Sequence, residues 1–269
     1  DGIKDLEDSL LRCFRSENLL HDPLRILRCF RFASELNFSI DTSLLEFIKL
    51  NKFRLKSVAA ERIQYELKKI VTGQEALKVV KYLDKIKIFD WMQSYKNTPS
   101  NSLLSVNYDN FSQEEFKRYL PIFYLKELLQ DSTAKKLKFC KSDILNLKYL
   151  RRWSDKLKFK SIKDFSENER FDLHKDLENI LPAFILYLPI EQHNYWLTRW
   201  RNKKDKLFHP RNFINGNTLK KFVAIDDGPL LGDLLNYLSK EFAYERLGNL
   251  DEAIYKAKLW IQQNAPKCD

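Results

Sequence analysis

The chain has 269 residues, and lysine and arginine together exceed aspartate and glutamate by ten. Hydrophobic residues make up 44% of the sequence and charged residues 31%, a balance typical of a water-soluble globular protein with one large or two to three small domains. No apolar run approaches the roughly 18 to 20 residues that a membrane-spanning helix requires. The polar, acidic N-terminus does not resemble a signal peptide, so we expect a cytoplasmic protein.

The cysteines and histidines give no sign of a metal site. Cys13, Cys29, Cys140 and Cys268 are far apart and form no Cys-x-x-Cys pair, which is typical of reduced thiols in the cytoplasm. The four histidines are equally scattered, so a zinc site is not expected. Gly-x-Gly-x-x-Gly and Walker-type loops are also absent from the sequence.

The distribution of glycine favours helices. Only six glycines occur, and four of them follow position 215. Long stretches carry neither glycine nor proline and are rich in leucine and lysine, which are good helix formers. The sequence therefore predicts an all-α fold.

After a connector with a short helix in residues 1–20, residues 22–37 have the pattern of an amphipathic helix. Asp22 is a suitable N-cap, and Pro23 suits the first helical position because its missing N–H would be unpaired there. At about 100° per residue the apolar residues fall on one side of the helix. These residues are Ile26, Cys29, Phe30, Ala33 and Leu36.

Three further helices are predicted before residue 90. Asp41 is expected to cap the first of them. Ser57 could cap the second, and Gly73 suits the position just after its end. The third runs from about residue 74 to residue 89. Together with the helix over 22–37 they would form a compact bundle.

Residues 93–112 are polar, contain Pro99 and lack periodicity, so they are predicted to be a linker. Helical patterns then cover residues 119–129, 141–153 and 170–187, with Pro182 expected to kink the last of these.

The C-terminal segment has its own pattern of turns and short helices. A short helix is predicted to start at Asn217 or Thr218, and residues 226–229 form a turn. Gly232 is expected to allow close approach of helices. The chain is predicted to finish with a helix over residues 250–263.

Arginines recur every third residue in the helix over 22–37. Arg25, Arg28 and Arg31 therefore present one guanidinium group per turn. Cations this close repel one another unless anions lie nearby. The row is consistent with an ordinary solvated basic face, and equally with binding of nucleotide or RNA phosphates, for which arginine has a rigid fork of donors.

Most of the positive charge lies in one segment. Residues 135–163 hold eleven basic side chains against two acidic ones, and residues 196–211 hold six against one, with Trp196, Trp200 and Phe208 between them. Clustered basic residues with aromatic neighbours favour RNA binding over a merely solubilising lysine-rich surface. The candidate RNA-binding residues are Lys135, Lys136, Lys138, Lys141, Arg151, Arg152, Arg199, Arg201, Lys203 and Lys204.

Three motifs follow one another within the first 72 residues. The stretch DPLRILRCFRFASELNFSID resembles the EDxxR signature of class II tRNA nucleotidyltransferases and the related bacterial poly(A) polymerases. The opening DGIKDLEDSLLR resembles the GGxxDLxxxxLR segment of that family, and VAAERIQYELKKI resembles its ERIxxEL segment. One departure is His21, where the family usually has an acidic or amide residue. The pattern GPLLGDLL at residues 228–235 resembles the family's tail domain.

The resemblance implies a domain organisation. The domains would be arranged in an elongated row. They would be a neck with a poly(A) polymerase-like RNA-binding region at 1–92, a linker at 93–112, a helical body at 113–190 and a tRNA-binding tail at 191–269.

The resemblance also implies roles for particular residues. Asp22 and Arg25 would read the edge of the incoming base, and Arg28 and Arg31 would contact the nucleotide further along. ATP and CTP would be the substrates and tRNA the partner.

The family's catalytic motifs, GGxxRD and DxD, do not occur in this sequence. No catalytic residue is therefore expected in this chain, and Mg²⁺ is expected only with a catalytic head domain. Without such a head we expect no nucleotide transfer.

Alternatives remain open at this level. A non-catalytic helical RNA-binding protein and a helical protein–protein scaffold fit much of the same pattern. Glu61 and Arg62 are expected to have a structural role in the first turn of their helix. Within the family, the sequence does not distinguish addition of CCA, of CC, of A alone or of a poly(A) tail.

Overall fold

The computed structural model describes residues 2–15, 17–92 and 107–264, and nearly all regular secondary structure in these ranges is helical. The strands found there are β1 (Leu10–Leu11) and β2 (Ser39–Ile40), which form a short parallel pair. The predicted all-α fold is confirmed. None of the helices in these ranges is both long and apolar enough to cross a bilayer.

Helices up to residue 156 alternate with short connections. In chain order they are α1 (Gly2–Glu7), α2 (Glu17–His21), α3 (Leu24–Leu36), α4 (Thr42–Asn51), a 3₁₀ helix (Lys52–Ser57), α5 (Ala60–Thr72), α6 (Ala76–Lys85), α7 (Gln113–Leu128), α8 (Asp131–Lys136) and α9 (Lys141–Lys156).

The remaining helices are shorter on average. In chain order they are a 3₁₀ helix (Ile162–Asp164), α10 (Glu167–Leu177), α11 (Leu181–Ile185), α12 (Ile190–Arg201), α13 (Gly216–Leu219), α14 (Pro229–Ala243) and α15 (Leu250–Asn264).

The chain folds as two compact units. The first comprises Asp1–Asp155 with Pro182–Ile190, and the second comprises Lys156–Leu181 with Glu191–Asp269. The division into neck, linker, body and tail stays a prediction. Residues 93–106 of the predicted linker lie outside the described residues.

In the first unit, α3 packs against α5 and α6. Ile26, Leu27 and Phe30 are fully buried, but Leu36 is 54% exposed and Cys29 is only half-buried. The buried face is therefore rotated toward Leu27 relative to the predicted stripe. Burial of these large side chains, at about 1.5–3 kcal/mol each, is what fixes the helix in place.

The start of α3 differs from the prediction. Its N-cap is Pro23 and has no side-chain hydrogen bond, so Asp22 does not cap the helix. The reason is that the backbone N–H of Asp22 donates to the carbonyl of Asn18, which makes Asp22 part of the end of α2. The carboxylate is directed instead toward arginines of the neighbouring helices.

The next helix starts as predicted. The Asp41 carboxylate accepts hydrogen bonds from the backbone N–H groups of Ser43 and Leu44 at the start of α4. Ser57 does not cap α5, because it ends the preceding 3₁₀ helix and Ala59 is the N-cap. Gly73 does end α5, but with extended backbone rather than the left-handed conformation expected of a C-terminal glycine.

The predicted helix over 170–187 is divided in two. α10 begins with a capping box, in which Ser166 and Glu169 satisfy each other's backbone N–H groups, and it ends at Leu177. Pro182 lies in the first turn of the separate helix α11, where its missing N–H costs nothing. Pro182 therefore marks a new helix and not a kink.

The C-terminal part of the second unit has a small core of its own. Leu219, Leu234, Leu238 and Ala257 are fully buried in it. The cap of α13 is Asn215, earlier than predicted, and its side chain accepts from the N–H of Thr218. A β-carbon on Gly232 would meet nothing within 4 Å, so this glycine serves no close helix approach.

Candidate functional site

A surface cleft of about 390 Å³ lies between α3 and α5 in the first unit. The arginine row contributes Arg28 and Arg31 to its lining, while Asp22 and Arg25 lie beside it. The other lining residues are Leu24, Glu61, Arg62, Tyr65 and Glu66. The structure therefore joins two of the three sequence motifs in one concave surface.

Arg28 is the cleft arginine whose charge is least compensated. Its side chain is exposed, and the described residues include no ion-pair partner for it. Arg62, from α5, lines the same cleft and is 3.7 Å from the Asp22 carboxylate. An unpaired guanidinium in a cleft favours an anionic ligand.

Asp22 is held between two arginines. Its carboxylate lies 3.9 Å from Nε of Arg25 and 3.7 Å from the guanidinium of Arg62. Both distances exceed the usual limit of about 3.2 Å for an N–H···O hydrogen bond. The ion pairs orient the carboxylate while leaving its lone pairs available to a donor on a ligand.

Arg31 differs from the other two arginines of the row. Its guanidinium lies 3.2 Å from Glu66 and 3.6 Å from Glu35, and it is stacked over the Phe32 ring at 4.6 Å. Only 16% of the side chain is exposed. Arg31 is therefore the arginine of the row whose charge is already balanced, by the carboxylates of Glu35 and Glu66. Its nucleotide-binding role stays a prediction.

Glu66 is buried behind the cleft. Burial raises the pKa of this carboxyl above its usual value, against the opposing effect of Arg31 and Arg28. Its Oε2 and the Nε of Arg31 have no hydrogen-bond partner among the described residues. Because these buried atoms lack hydrogen bonds, a change in the packing of α3 against α5 is expected to weaken the Arg31–Glu66 ion pair.

The outer side of α5 is tied to the segment after α8. The Lys138 ammonium donates to Glu61, which lowers the pKa of that carboxyl. The Gln64 amide donates to the carbonyl of Lys138 at 2.9 Å, and Lys68 is 3.3 Å from Asp143. Glu61 thus has the predicted ion-pair role, while also lining the cleft.

Four residues of α5 line the cleft. The sequence pattern predicts a structural role for Glu61 and Arg62 and assigns no role to Tyr65 or Glu66. Tyr65 is 56% exposed beside the arginines and offers a ring for stacking. The signal was available, since positions 61, 62, 65 and 66 share one helix face by their spacing of three and four.

In the first basic cluster, residues 135–163, several side chains already bind other groups of the protein. Lys136 donates to the carbonyl of Met92, and Arg151 binds Asp131 and the carbonyl of Leu129. Arg152 is stacked over the Trp153 ring, and Lys135 and Lys141 are exposed. The RNA-binding roles of these residues stay predictions.

In the second basic cluster, residues 196–211, the aromatic side chains are not on the surface beside the cations. Trp196, Trp200 and Phe208 are buried, so they are not surface stacking platforms. Arg199 binds Asp205 through two hydrogen bonds of 2.7 and 3.1 Å and lies over the Phe208 ring. The spacing of four places both tryptophans on one face of α12, and that face packs into the core. Arg201, Lys203 and Lys204 are exposed.

Metal ligands are not grouped in the described ranges. No three or more His, Cys, Asp or Glu side chains are placed there to hold a metal ion.

Comparison with known proteins gives a consistent result. Residues 37–95 match the family model described as "Probable RNA and SrmB- binding site of polymerase A". The CC-adding tRNA nucleotidyltransferase of a Synechocystis species is 27% identical over 96% of this chain and 68% of its own length. The CCA-adding enzyme of Pediococcus pentosaceus is 25% identical over 98% of this chain and 67% of its own length.

The chain is thus similar to class II tRNA nucleotidyltransferases.

Solved structures of CCA-adding enzymes share the fold. The Thermotoga maritima CCA-adding enzyme, solved with tRNA, has a TM-score of 0.63 at 18% identity, with 97% of this chain and 66% of that one covered. The Bacillus stearothermophilus CCA-adding enzyme, solved with CTP, has a TM-score of 0.66 at 15% identity, with 99% and 69% covered. The chain thus spans about two thirds of the length of these nucleotidyltransferases.

The family match covers only one wall of the cleft. It begins at residue 37, directly after α3, and includes α4, α5 and α6. Glu61, Arg62, Tyr65 and Glu66 therefore lie within the segment that this family model describes. The arginine row of α3 lies outside it and rests on the geometry above.

Proposed function

We propose that these 269 residues supply nucleotide selection and tRNA binding to an enzyme that adds C, A or both to tRNA 3′ ends. The observation that carries the proposal is the cleft between α3 and α5, which is lined by the unpaired Arg28 and by Arg62, whose guanidinium is 3.7 Å from the Asp22 carboxylate. The proposal is supported by relatives named as CC-adding and CCA-adding enzymes and by solved relatives that bind ATP, CTP or tRNA.

Base selection would rest on Asp22 and Arg25. A carboxylate accepts a hydrogen bond from the exocyclic amino group that cytosine and adenine share and that uracil lacks. Arg25 is half-exposed and its Nε is 3.9 Å from the Asp22 carboxylate, so it can donate to a ring nitrogen or carbonyl of the same base. Arg28 and Arg62 would neutralise the triphosphate, with Tyr65 beside the nucleotide.

Arg31 would act indirectly. Its guanidinium is fixed by Glu66 and Glu35, so its contribution would be to hold α3 against α5 with the cleft open. This makes Arg31 and Glu66 positioning residues in the proposal.

Chemistry of transfer would come from elsewhere in the enzyme. Phosphoryl transfer needs carboxylates that hold Mg²⁺ and activate the attacking hydroxyl. The family motifs that supply them do not occur in this sequence. We therefore propose that activity requires a carboxylate-bearing catalytic domain in addition to these residues.

The test is a transfer assay with two forms of the protein. Residues 1–269 alone, and the same residues joined to a family catalytic domain, are incubated with radiolabelled CTP or ATP, Mg²⁺ and tRNA lacking its 3′ end. We expect incorporation only by the joined form. Robust incorporation by residues 1–269 alone, abolished by point changes within them, would contradict the proposal. If neither form binds tRNA, the helical scaffold becomes the better explanation.

A further inference from the structure

The second unit contains a cleft that the proposed nucleotide site does not use. It has a volume of about 350 Å³ and is formed by the 3₁₀ helix Ile162–Asp164, by α10, by α12 and by residues 207–208. All of these segments belong to one compact unit. Its size is at the lower end of the range for small-molecule sites, about 300–1,000 Å³, which suits one ring system with its substituents.

Cations predominate at the edge of this cleft. Lys163 is exposed. The Arg170 guanidinium donates a hydrogen bond of 2.7 Å to the backbone carbonyl of Lys163, and this bond holds the guanidinium beside Lys163. The described residues include no carboxylate partner for the Lys163 ammonium. Glu191 also lines the cleft, and Arg199 is balanced by Asp205. The remaining charge favours an anionic ligand.

One wall of the cleft is an exposed aromatic ring. Tyr195 is 59% exposed, and its hydroxyl accepts a hydrogen bond of 3.0 Å from Arg199. That bond holds the side chain in one orientation, so less conformational freedom would be lost when a ligand stacks on it. Trp196 and Phe208 are buried beneath and give the cleft an apolar floor.

His174 adds an unsatisfied polar group. It is 2% exposed and lies between the rings of Trp196 and Phe208, at centroid distances of 5.2 and 4.0 Å. Its Nδ1 has no hydrogen-bond partner among the described residues. Burial lowers the pKa of His174 to about 3, so the ring is neutral at physiological pH. A buried polar atom without a partner is unusual in a folded protein and requires a specific explanation.

We propose that this cleft holds one unpaired nucleobase of a bound RNA, stacked on Tyr195, with the adjacent phosphate at Lys163 and Arg170. The inference rests on the proposed function in that it assigns a contact to the RNA partner. Stacking on an exposed aromatic ring beside cations is how proteins hold single-stranded bases without reading their sequence. An acidic peptide would satisfy the cations but would leave the aromatic wall formed by Tyr195 without a partner.

The experiment measures binding of residues 1–269 to a fluorescein-labelled single-stranded RNA tetranucleotide and, separately, to tRNA. Replacing Tyr195 by alanine is expected to weaken tetranucleotide binding at least about fivefold, since loss of base stacking has effects of that size or larger. Tyr195→Phe keeps the ring and should stay within about twofold of the unchanged chain. Lys163→Gln should weaken binding and reduce its salt dependence by about one counterion.

Matched controls come from the same unit. Tyr255→Ala removes a tyrosine that is 65% exposed on α15, and Lys221→Gln removes an exposed lysine; neither residue lines the cleft. Equal losses for the cleft variants and these controls would overturn the inference. So would absence of tetranucleotide binding, or displacement of the RNA by an acidic peptide at equal concentration. Thermal unfolding of each variant, followed by circular dichroism, verifies that Tyr195→Ala remains folded.

Failure of the two proposals is distinguishable. If residues 1–269 bind no tRNA, the proposed function fails first. If they bind tRNA and Tyr195→Ala binds both RNAs as tightly as Tyr195→Phe does, only the nucleobase cleft is wrong.

Discussion

Gly73 lies so close to Ser34 that a β-carbon at residue 73 would be 2.2 Å from the Ser34 hydroxyl and 2.6 Å from its carbonyl. The contact is reinforced at both sides: the Ser34 hydroxyl donates to the carbonyl of Ile70 at 2.6 Å, and the N–H of Glu75 donates to the carbonyl of Ser34 at 2.9 Å. The end of α5 is thereby locked onto α3, which also sets the separation of the two cleft walls.

Replacing Gly73 by alanine is therefore expected to destabilise the first unit by about 2 kcal/mol, because two of the three nearest atoms are backbone and the third, the Ser34 hydroxyl, is held by its hydrogen bond to Ile70. Urea unfolding measures the change. Gly232→Ala is the matched control: it lies inside α14 with open space around it, so it should stabilise by about 0.5–1 kcal/mol. Equal effects of the two substitutions would contradict the close contact.

Local sequence signals were enough to predict several elements of this structure. Pro23 and the apolar spacing placed α3 to within two residues, and the Asp41 cap placed the start of α4. The sequence pattern places Asp22 as the cap of α3, whereas in the structure Asp22 directly follows the short helix α2. A helix of five residues leaves almost no periodic signal.

Only the part of the candidate site that lies on one helix could be predicted from local sequence. The arginine row on α3 is visible in the sequence, whereas the ion pairs Arg31–Glu66 and Asp22–Arg62 depend on how α3 and α5 pack. Likewise, the spacing of Trp196 and Trp200 does not reveal which way α12 faces. Burial of both rings follows from tertiary packing, which overrides the local association of aromatic and basic residues.

Arg25 and Asp22 are expected to control the choice of nucleotide. In an active form that includes a catalytic domain, Arg25→Ala or Asp22→Ala should lower incorporation of CTP and ATP at least about tenfold and relax discrimination against UTP. A lost base contact costs about 1–3 kcal/mol, which corresponds to this range. Steady-state kinetics with each nucleotide measure the effect. Arg54→Ala, an exposed arginine outside the cleft, is the control. Unchanged selectivity in Arg25→Ala would eliminate the assignment.

Arg28 and Arg31 should separate into a binding role and a structural role. Arg28→Ala is expected to raise the KM for nucleotide about tenfold with little change in the urea midpoint, because its guanidinium is exposed and unpaired in the described structure. Arg31→Ala leaves Glu66 buried without its partner, so the free energy of unfolding should fall by up to about 3 kcal/mol. This value is at the low end for a broken buried ion pair, because the Arg31 side chain is partly exposed to water. The reverse pattern would show that the two assignments are interchanged.

Acid stability should depend on Glu169. Lys156, Lys160 and the Ser166 N–H lower the pKa of this carboxyl well below its usual value. Because the folded pKa is the lower one, the stabilising contribution is present above the unfolded value of about 4.3 and is lost as the pH falls below it. Glu169→Gln removes the charge and can still accept the Ser166 hydrogen bond. The stability difference from the unchanged chain should therefore be largest near neutral pH and shrink below about pH 4. A difference that does not vary with pH would contradict the charge-based explanation.

Binding of tRNA should depend on the exposed lysines of the first basic cluster. Lys135 and Lys141 are exposed, whereas Lys138 is occupied by Glu61 and Lys136 by the carbonyl of Met92. Each lysine that neutralises a phosphate releases counterions, so the double variant Lys135→Gln/Lys141→Gln should reduce the slope of log affinity against log salt by about two. Lys78→Gln/Lys85→Gln, which removes the same charge from α6, is the control and should leave the slope nearly unchanged. Fluorescence anisotropy with labelled tRNA between low and moderate salt gives both slopes. Equal reductions in the two double variants would mean that tRNA responds to the net charge of the chain and not to this cluster.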